Sequence, residues 1–190
     1  NTTAAAAVLA AGEHLALRDA RAVVLAATGP VGSRVVRLLA RQGSHVTVAS
    51  RQLARAQEVC DDVAQRVEGA QLSPLATSVE GAVEESLAQA DLLIAAGAAG
   101  IQLVELDAWS RQARLRVAID LNAVPPAGIE GIDATARNVM LNQVACYGAI
   151  GVGNTKMKIH KAALQSLFQA NDRVLNAEEV YAIGQNVLGS

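Results

Sequence analysis

The chain is poor in aromatic residues and in cysteine and has no long apolar segment, and each shortage excludes a class of protein. Aromatic residues make up 2% of its 190 residues, so a core has to be built from Ala, Val, Leu and Ile. Cys60 and Cys146 lack CxxC spacing, and we expect reduced thiols in a cytoplasmic protein with no metal site. No apolar run approaches the roughly 18 to 20 residues that span a bilayer, so no membrane partner is predicted.

Charge and composition narrow the choice further. The 16 basic and 18 acidic residues give a net charge of -2, which lacks the basic excess of a nucleic-acid-binding protein. A hydrophobic fraction of 52% against 18% charged residues supports a folded core and argues against disorder. We expect one domain over residues 1–190, with terminal helices within residues 1–18 and 155–190.

Short apolar segments alternate with amphipathic helices over most of the chain. Strands are predicted at residues 20–28, 45–50, 71–76, 91–98 and 116–124. Helices are predicted between them at residues 30–43, 52–69, 79–90 and 103–115. This alternation predicts the α/β class, a doubly wound parallel sheet that forms a Rossmann-like nucleotide-binding domain.

Helices are added at both ends of this unit. An alanine-rich helix is predicted over residues 4–17. The alternation stops after Asn122, where a loop rich in Pro and Gly leads through a glycine-rich segment to another helix. A last helix follows Asn176, and Glu179 three residues later suits a capping box.

The turn after the first strand reads Ala27-Thr28-Gly29-Pro30-Val31-Gly32. In the dinucleotide fingerprint GxGxxG, the second glycine lets the backbone approach the diphosphate and the third allows close helix–strand packing. Both of these glycines are present, and Ala27 replaces the first. We expect the diphosphate to be bound by the residues of this turn, namely Thr28, Gly29, Pro30, Val31 and Gly32. The alternative is a glycine turn without a ligand.

The end of the second strand determines which dinucleotide is expected. An acidic residue there would accept hydrogen bonds from the adenosine ribose and repel a 2′-phosphate. This chain has Ser50 and Arg51, with Arg55 one helical turn later. A guanidinium can bind a phosphate through two parallel hydrogen bonds and stack on adenine, so the residues predict NADP, with NAD as the alternative cofactor. If no cofactor binds here, Arg51 and Arg55 are ordinary solvated charges.

The ends of the fourth and fifth strands supply further candidates. Ala96, Gly97 and Ala98 are small enough to let a flat ring or a diphosphate approach the backbone. Asp120 and Asn122 end the fifth strand, where ligands of open α/β sheets bind. They are candidates for holding the nicotinamide or the loop beside it, or they simply form a turn.

Several longer stretches resemble one family, the NAD(P)-dependent methylene-tetrahydromethanopterin dehydrogenases of bacterial one-carbon metabolism, some of which also accept methylene-tetrahydrofolate. The likeness lies in NTTAAA at 1–6, VVLAATGPVG at 23–32, ASRQLARAQ at 49–57, AAGAAGIQL at 95–103, DLNAVPPAGIEGIDAT at 120–135, YGAIGVGNTKMKIHKA at 147–162 and AEEVYAI at 177–183. The two stretches beginning at 120 and 147 are the most specific. The family's turn reads GTGPVG, from which Ala27 departs. The resemblance also implies a preceding N-terminal α/β domain that supplies much of the pterin site, which this chain does not include.

The resemblance implies hydride transfer from a methylene bridge of a reduced pterin to NADP+, in a homo-oligomeric enzyme. Nitrogen lone pairs stabilise the methenyl product, so positioning is expected to matter more than a general base. By analogy with the family motif, Lys156 is placed at the substrate cleft, where it binds a polar group away from the reacting carbon. A solvated lysine near a helix start is the alternative.

Two other functions remain open. Another two-domain NADP oxidoreductase of the shikimate dehydrogenase or methylene-tetrahydrofolate dehydrogenase type also has a small residue and Arg after its second strand, but differs in the segment after residue 147. The other alternative is a nucleotide-sensing Rossmann module without catalysis.

Overall fold

A computed structural model describes residues 1–168 and 175–189. The helices and strands follow in the order α1 (Thr2–Gly12), β1 (Arg21–Leu25), α2 (Pro30–Arg41), β2 (His45–Ser50), α3 (Leu53–Arg66), β3 (Gln71–Ala76), α4 (Ala82–Leu87), β4 (Leu92–Ala95), α5 (Leu106–Trp109), β5 (Val117–Asp120), β6 (Arg137–Leu141), β7 (Val144–Tyr147), α6 (Gly153–Leu167) and α7 (Ala177–Leu188).

The strands form one seven-stranded sheet in the order β3-β2-β1-β4-β5-β7-β6. All pairs are parallel except β6 with β7. Successive residues of β1 point to opposite faces, because Ala22 and Val24 belong to one buried cluster while Val23 and Leu25 belong to the other. Helices α1, α2, α3, α6 and α7 pack on the first face, and α4 and α5 on the second. The predicted doubly wound α/β fold is therefore confirmed.

Only a loop and a glycine-rich segment are predicted between Asn122 and the next helix, and the structure shows that this is wrong. The segment 137–147 forms an antiparallel hairpin, which turns at Asn142 and Gln143. Its second strand, β7, is buried between β5 and β6 and extends the sheet in parallel with β5. The first strand, β6, is exposed along most of its length, so it lacks the alternation of apolar and polar residues that identifies a strand in a sequence.

Three predicted helices are much shorter in the structure, and the one expected at 79–90 spans only Ala82–Leu87 as α4. The helix expected at 103–115 is one turn, α5, whose Trp109 is fully buried and donates its indole N–H to the Glu130 carbonyl oxygen at 3.0 Å. The first helix ends at Gly12 instead of residue 17. Just beyond that end, His14 Nε2 lies 2.6 Å from the Tyr147 hydroxyl, so this segment is held by β7 and does not continue the helix.

Helix α1 is buried on all sides. Residues Ala4 to Ala11 are each at most 6% exposed, and the helix contacts α2, α6 and α7. Small side chains allow this close packing between a sheet face and three helices. The last helix begins with a capping box, in which Asn176 accepts hydrogen bonds from the Glu178 and Glu179 N–H groups and Glu179 accepts one from the Asn176 N–H, as predicted.

Both cysteines are free and buried. Burial raises the pKa of the Cys146 thiol to about 11, which keeps it protonated at neutral pH. Among the described residues, no helix combines the length and the apolar character that crossing a bilayer requires.

The packing of α1 is tested by replacing Ala6 with leucine. Ala6 has no exposed surface, so a larger side chain must displace its neighbours, and we expect a loss of about 1–3 kcal/mol in the free energy of unfolding. Urea denaturation followed by circular dichroism measures the change. Ala64→Leu on the exposed side of α3 is the matched control, and an equal loss for both variants would contradict the buried position of α1.

Candidate functional site

A groove of about 850 Å³ lies beyond the carboxyl ends of β1, β2 and β4. It sits where the strand order reverses between β1 and β4, the position at which open α/β sheets bind their ligands. The groove is lined by Leu25, Ala26, Thr28, Ser50, Arg51, Gln52, Arg55, Thr77, Gly97, Ala98, Ile101 and Leu103. The fold thus brings together six residues that the sequence predicts for one site: Thr28, Ser50, Arg51, Arg55, Gly97 and Ala98.

The two glycines of the turn have different surroundings. A Cβ atom at Gly32 would lie 2.7 Å from the Ala27 Cα, so only glycine lets α2 pack this closely on the end of β1. A Cβ atom at Gly29 would meet nothing nearer than 3.9 Å, and the φ of -76° suits any residue. The protein leaves space at Gly29 that its own packing does not need, as expected of a backbone that a diphosphate approaches.

The departure at Ala27 does not obstruct the groove. Ala27 is fully buried, does not line the groove, and donates its N–H to the Ala49 carbonyl oxygen at 3.0 Å. The left-handed backbone of the turn falls on the preceding residue, Ala26, with a φ of 53°. Pro30 occupies the first turn of α2, as predicted, where its fixed φ suits a helix start.

The two arginines of the groove carry positive charge that the described part of the protein does not neutralise. Arg51 and Arg55 are both exposed, and neither has a described carboxylate within salt-bridge distance. Ser50 is 7% exposed, and its Oγ accepts the Gln52 N–H at 3.4 Å, so its hydroxyl proton is available to a ligand. This arrangement favours an anionic group beside the end of β2.

Six residues of the groove were not predicted from the sequence, and two of them, Leu25 and Ala26, lie at the end of β1. Gln52 follows Arg51 directly, and Thr77 follows β3, where its N–H donates to the Ser50 carbonyl oxygen at 2.8 Å. Ile101 and Leu103 form an apolar wall on the other side. Thr77 is 27 positions from Ser50 in the sequence, and only the pairing of β3 with β2 reveals that the two are neighbours.

The Asp120 carboxylate holds the loop that follows β5. It is 1% exposed, and its two carboxylate oxygens accept hydrogen bonds from the N–H groups of Gly128 (2.7 Å), Ile129 (3.2 Å) and Asn122 (3.0 Å). Burial raises the pKa of Asp120, while these three hydrogen bonds oppose the shift. Its side chain is fully used by the loop that follows β5.

Asn122 holds the same loop. Its Oδ1 accepts the Val124 N–H at 3.0 Å and the Gly100 N–H at 3.4 Å, and its Nδ2 donates to the Pro126 carbonyl oxygen at 3.0 Å. These bonds tie the loop after β5 to the loop after β4, which carries Gly97 and Ala98. Neither Asp120 nor Asn122 lines the groove, and both side chains instead form hydrogen bonds with the backbone of the loop beside it.

Lys156 lies apart from the groove. It is on α6, donates its N–H to the Val152 carbonyl oxygen at 3.0 Å, and is half-buried. Its ammonium group and the guanidinium of Arg34 lie near Asn1 at the start of α1. Ala96, at the end of β4, donates its N–H to the Leu25 carbonyl oxygen at 3.0 Å and likewise does not line the groove. In the described part of the chain, no group of three or more His, Cys, Asp or Glu side chains is arranged to hold a metal ion.

Sequence comparison relates the chain to known oxidoreductases. Residues 9–144 match the family described as Shikimate / quinate 5-dehydrogenase. The chain is 37% identical over 191 aligned residues to the "Bifunctional protein MdtA" of Methylorubrum extorquens, covering 98% of this chain and 65% of that protein. It is 31% identical over 119 residues to the "NAD(P)-dependent methylenetetrahydromethanopterin dehydrogenase" of the same organism, covering 59% of this chain and 40% of that protein. The chain therefore spans less than two thirds of either relative.

Solved structures share the fold. The transhydrogenase from Sinorhizobium meliloti is 20% identical with a TM-score of 0.61, covering 99% of this chain and 52% of that one. Quinate dehydrogenase from Corynebacterium glutamicum, solved with NAD, is 18% identical with a TM-score of 0.60, covering 98% of this chain and 62% of that one.

The contrast between the two glycines is testable. We expect Gly32→Ala to lower the free energy of unfolding by about 1–3 kcal/mol, because the added methyl group overlaps backbone atoms of Ala26 and Ala27. Gly29→Ala serves as the control and should cost less than about 1 kcal/mol, since only a helix N-cap preference changes. Thermal and urea denaturation measure both. A Gly29 variant that is as destabilised as the Gly32 variant would contradict the open space at Gly29.

Proposed function

The chain belongs to the shikimate / quinate 5-dehydrogenase family, and from this premise we propose that it is the cofactor-binding part of an NADP-dependent dehydrogenase of methylene-tetrahydromethanopterin, with methylene-tetrahydrofolate as the alternative substrate. At the coarser level, the chain is a Rossmann domain related to NAD(P)-dependent oxidoreductases. The observation that carries the proposal is the groove at the ends of β1 and β2, where two arginines without a described carboxylate partner lie beside an open glycine turn.

The residues of the groove fit a dinucleotide with an additional phosphate. The open backbone at Gly29 and the start of α2 suit a diphosphate, because the first N–H groups of a helix favour anions. Arg51 and Arg55 suit a 2′-phosphate, and no acidic side chain among the described residues lines the groove to repel it. NAD remains the alternative cofactor.

When bound, NADP+ supplies the hydride acceptor, and the methylene carbon of the pterin becomes a methenyl cation as it loses hydride. The part of this chain in that reaction is to position the reactants, because the product needs no proton removed in the same step. Asp120 and Asn122 contribute by fixing the loops after β4 and β5 next to the groove. We assign no general base within the groove.

The proposed pterin substrate is supported by the extent of the sequence similarity. The 37% identity to the Methylorubrum protein covers 98% of this chain, which includes the segment 147–162 that lies beyond the family match at 9–144. That segment carries Lys156, for which we propose a contact with a polar group of the substrate away from the reacting carbon. A cation near the reacting carbon would oppose the positive charge that develops there.

A shikimate-type substrate is the second candidate, because the family match itself carries that description. A homo-oligomeric state and a cytoplasmic location belong to the same proposal. A nucleotide-sensing module without catalysis is the remaining alternative.

The choice of cofactor is tested by Arg51→Ala. Removing a charge-assisted contact to the 2′-phosphate should weaken NADP+ binding about 10- to 100-fold while NAD+ binding changes little. Isothermal titration calorimetry with both nucleotides measures the effect. Arg111→Ala, at an exposed ion pair with Asp107, is the control and should change neither affinity. Equal binding of NAD+ and NADP+ that Arg51→Ala leaves unchanged would reject the assignment.

The proposed substrate is tested in the full-length protein by following NADPH absorbance with each reduced pterin and with shikimate. We expect turnover with a methylene pterin and none with shikimate. Lys156→Ala should raise KM more than it lowers kcat, because the side chain is proposed to bind substrate without entering the chemical step. Lys158→Ala, at an exposed position two residues away, is the matched control. A collapse of kcat at unchanged KM would contradict this role for Lys156.

A further inference from the structure

Two adjoining cavities of about 430 and 520 Å³ lie at the opposite end of α2 from the nucleotide turn. They are enclosed by α7 and by the carboxyl-terminal ends of α1, α2 and α3. Both are lined by Arg41, Gln42, Tyr181 and Gln185, so they form one continuous pocket. None of these residues lines the groove at the glycine turn.

Tyr181 lines both cavities and carries a hydroxyl that the described part of the fold does not use. The residue is only 7% exposed, yet its hydroxyl makes no hydrogen bond to any residue within 1–168 or 175–189. The hydroxyl oxygen remains accessible from the pocket, since it is not one of the fully buried polar atoms that lack a hydrogen bond. Burial raises the pKa of Tyr181, so the group keeps its proton at neutral pH and acts as a donor. An accessible hydroxyl that the described part of the fold does not use is available to a ligand.

The charges around the pocket leave arginine side chains available for an anion. Arg41 is half exposed and lies 3.7 Å from Glu178, which Arg37 already holds at 2.7 Å. Arg18, at the rim, makes no ion pair with any described carboxylate.

The remaining charged groups of the lining are occupied or peripheral. Arg66 pairs with Asp62 at 2.8 Å, and Glu13 accepts a hydrogen bond from the Tyr147 hydroxyl at 3.3 Å. Glu68 is exposed at the outer edge of the smaller cavity. The carboxylates of the lining are therefore paired or lie at its edge, while Tyr181 and Arg41 supply donors to the interior.

The larger cavity has an apolar wall. Leu9, Leu15, Leu17 and Leu188 line it beside the shared polar residues. A pocket of this volume that combines an apolar wall with a few convergent polar groups suits a small molecule that has both an apolar and a polar part.

We propose that this pocket is a second binding site, for a small amphipathic carboxylate. Its carboxylate group accepts hydrogen bonds from the Tyr181 hydroxyl and the Arg41 guanidinium, and its apolar part lies against Leu9, Leu15, Leu17 and Leu188. The site shares no residue with the nucleotide groove, so it stands or fails independently of the proposed dehydrogenase activity.

Octanoate is a suitable probe, measured by isothermal titration calorimetry on the full-length protein. We expect one octanoate per chain, with binding weakened about tenfold by Tyr181→Phe and at least as much by Arg41→Gln. Octan-1-ol, which has the same chain without the charge, should bind more than about tenfold more weakly for the same reason. Arg114→Gln, whose ion pair with Asp91 lies elsewhere, is the control and should not alter binding.

The proposal is overturned if octanoate does not bind, if octan-1-ol binds equally well, or if Tyr181→Phe binds like the unchanged protein. Displacement of octanoate by NADP+ would place the binding in the nucleotide groove and also reject it. Without octanoate, Tyr181→Phe should melt no lower than the unchanged protein, because it removes only a hydroxyl without a partner. A lower melting temperature would indicate a structural role for that hydroxyl. If Tyr181→Phe does not fold, Arg41→Gln at the half-exposed neighbour decides the outcome.

Discussion

The contact between the first turn of α2 and the end of β1 is the constraint on which the nucleotide groove depends. At Gly32 the helix approaches the backbone of Ala27 so closely that no side chain can be accommodated. This approach fixes the direction of α2 and places its N-terminal N–H groups at the edge where the strands end. The open backbone at Gly29 is a consequence, because it lies between that helix start and the end of β4.

Around this contact, the protein divides its polar groups between structure and binding. The side chains of Asp120 and Asn122 form hydrogen bonds with loop backbone, and these bonds hold the loops after β4 and β5 in a defined position. Arg51 and Arg55 have no described carboxylate partner and remain open to an anionic ligand. A side chain whose hydrogen bonds are all satisfied within the fold supports a site, whereas one left without a partner is available for binding.

Polar side chains available for binding also lie at the other end of α2. There Tyr181 is a buried donor without a described partner, and Arg41 has only a long contact to an acid already held by Arg37. Both groups can be reached from the pocket, so both are available to a ligand. Helix α2 thus has such polar groups near both of its ends, namely Arg51 and Arg55 near its start and Tyr181 and Arg41 near its end.

Much of the architecture could be predicted from local patterns. The strand at His45–Ser50 and the strand at Gln71–Ala76 have the predicted boundaries, because each is a short segment confined between two helices. The hairpin at 137–147 could not be predicted in this way, since β6 is exposed on both faces and β7 is defined by pairing with β5 across a long connection. Likewise, the one-turn helix at Leu106–Trp109 is set by the burial of Trp109.

The sequence by itself determined the α/β class, the glycine turn and the identity of the residues after β2, because these depend on periodicity and on neighbours in the chain. Only the tertiary structure decided that Thr77 and Ile101 line the groove and that Lys156 does not. It also decided that the Asp120 carboxylate binds the backbone of the loop after β5. The reason is physical: strand order, burial and hydrogen-bond satisfaction are properties of contacts between distant segments. No local pattern of residues encodes which of those segments will meet.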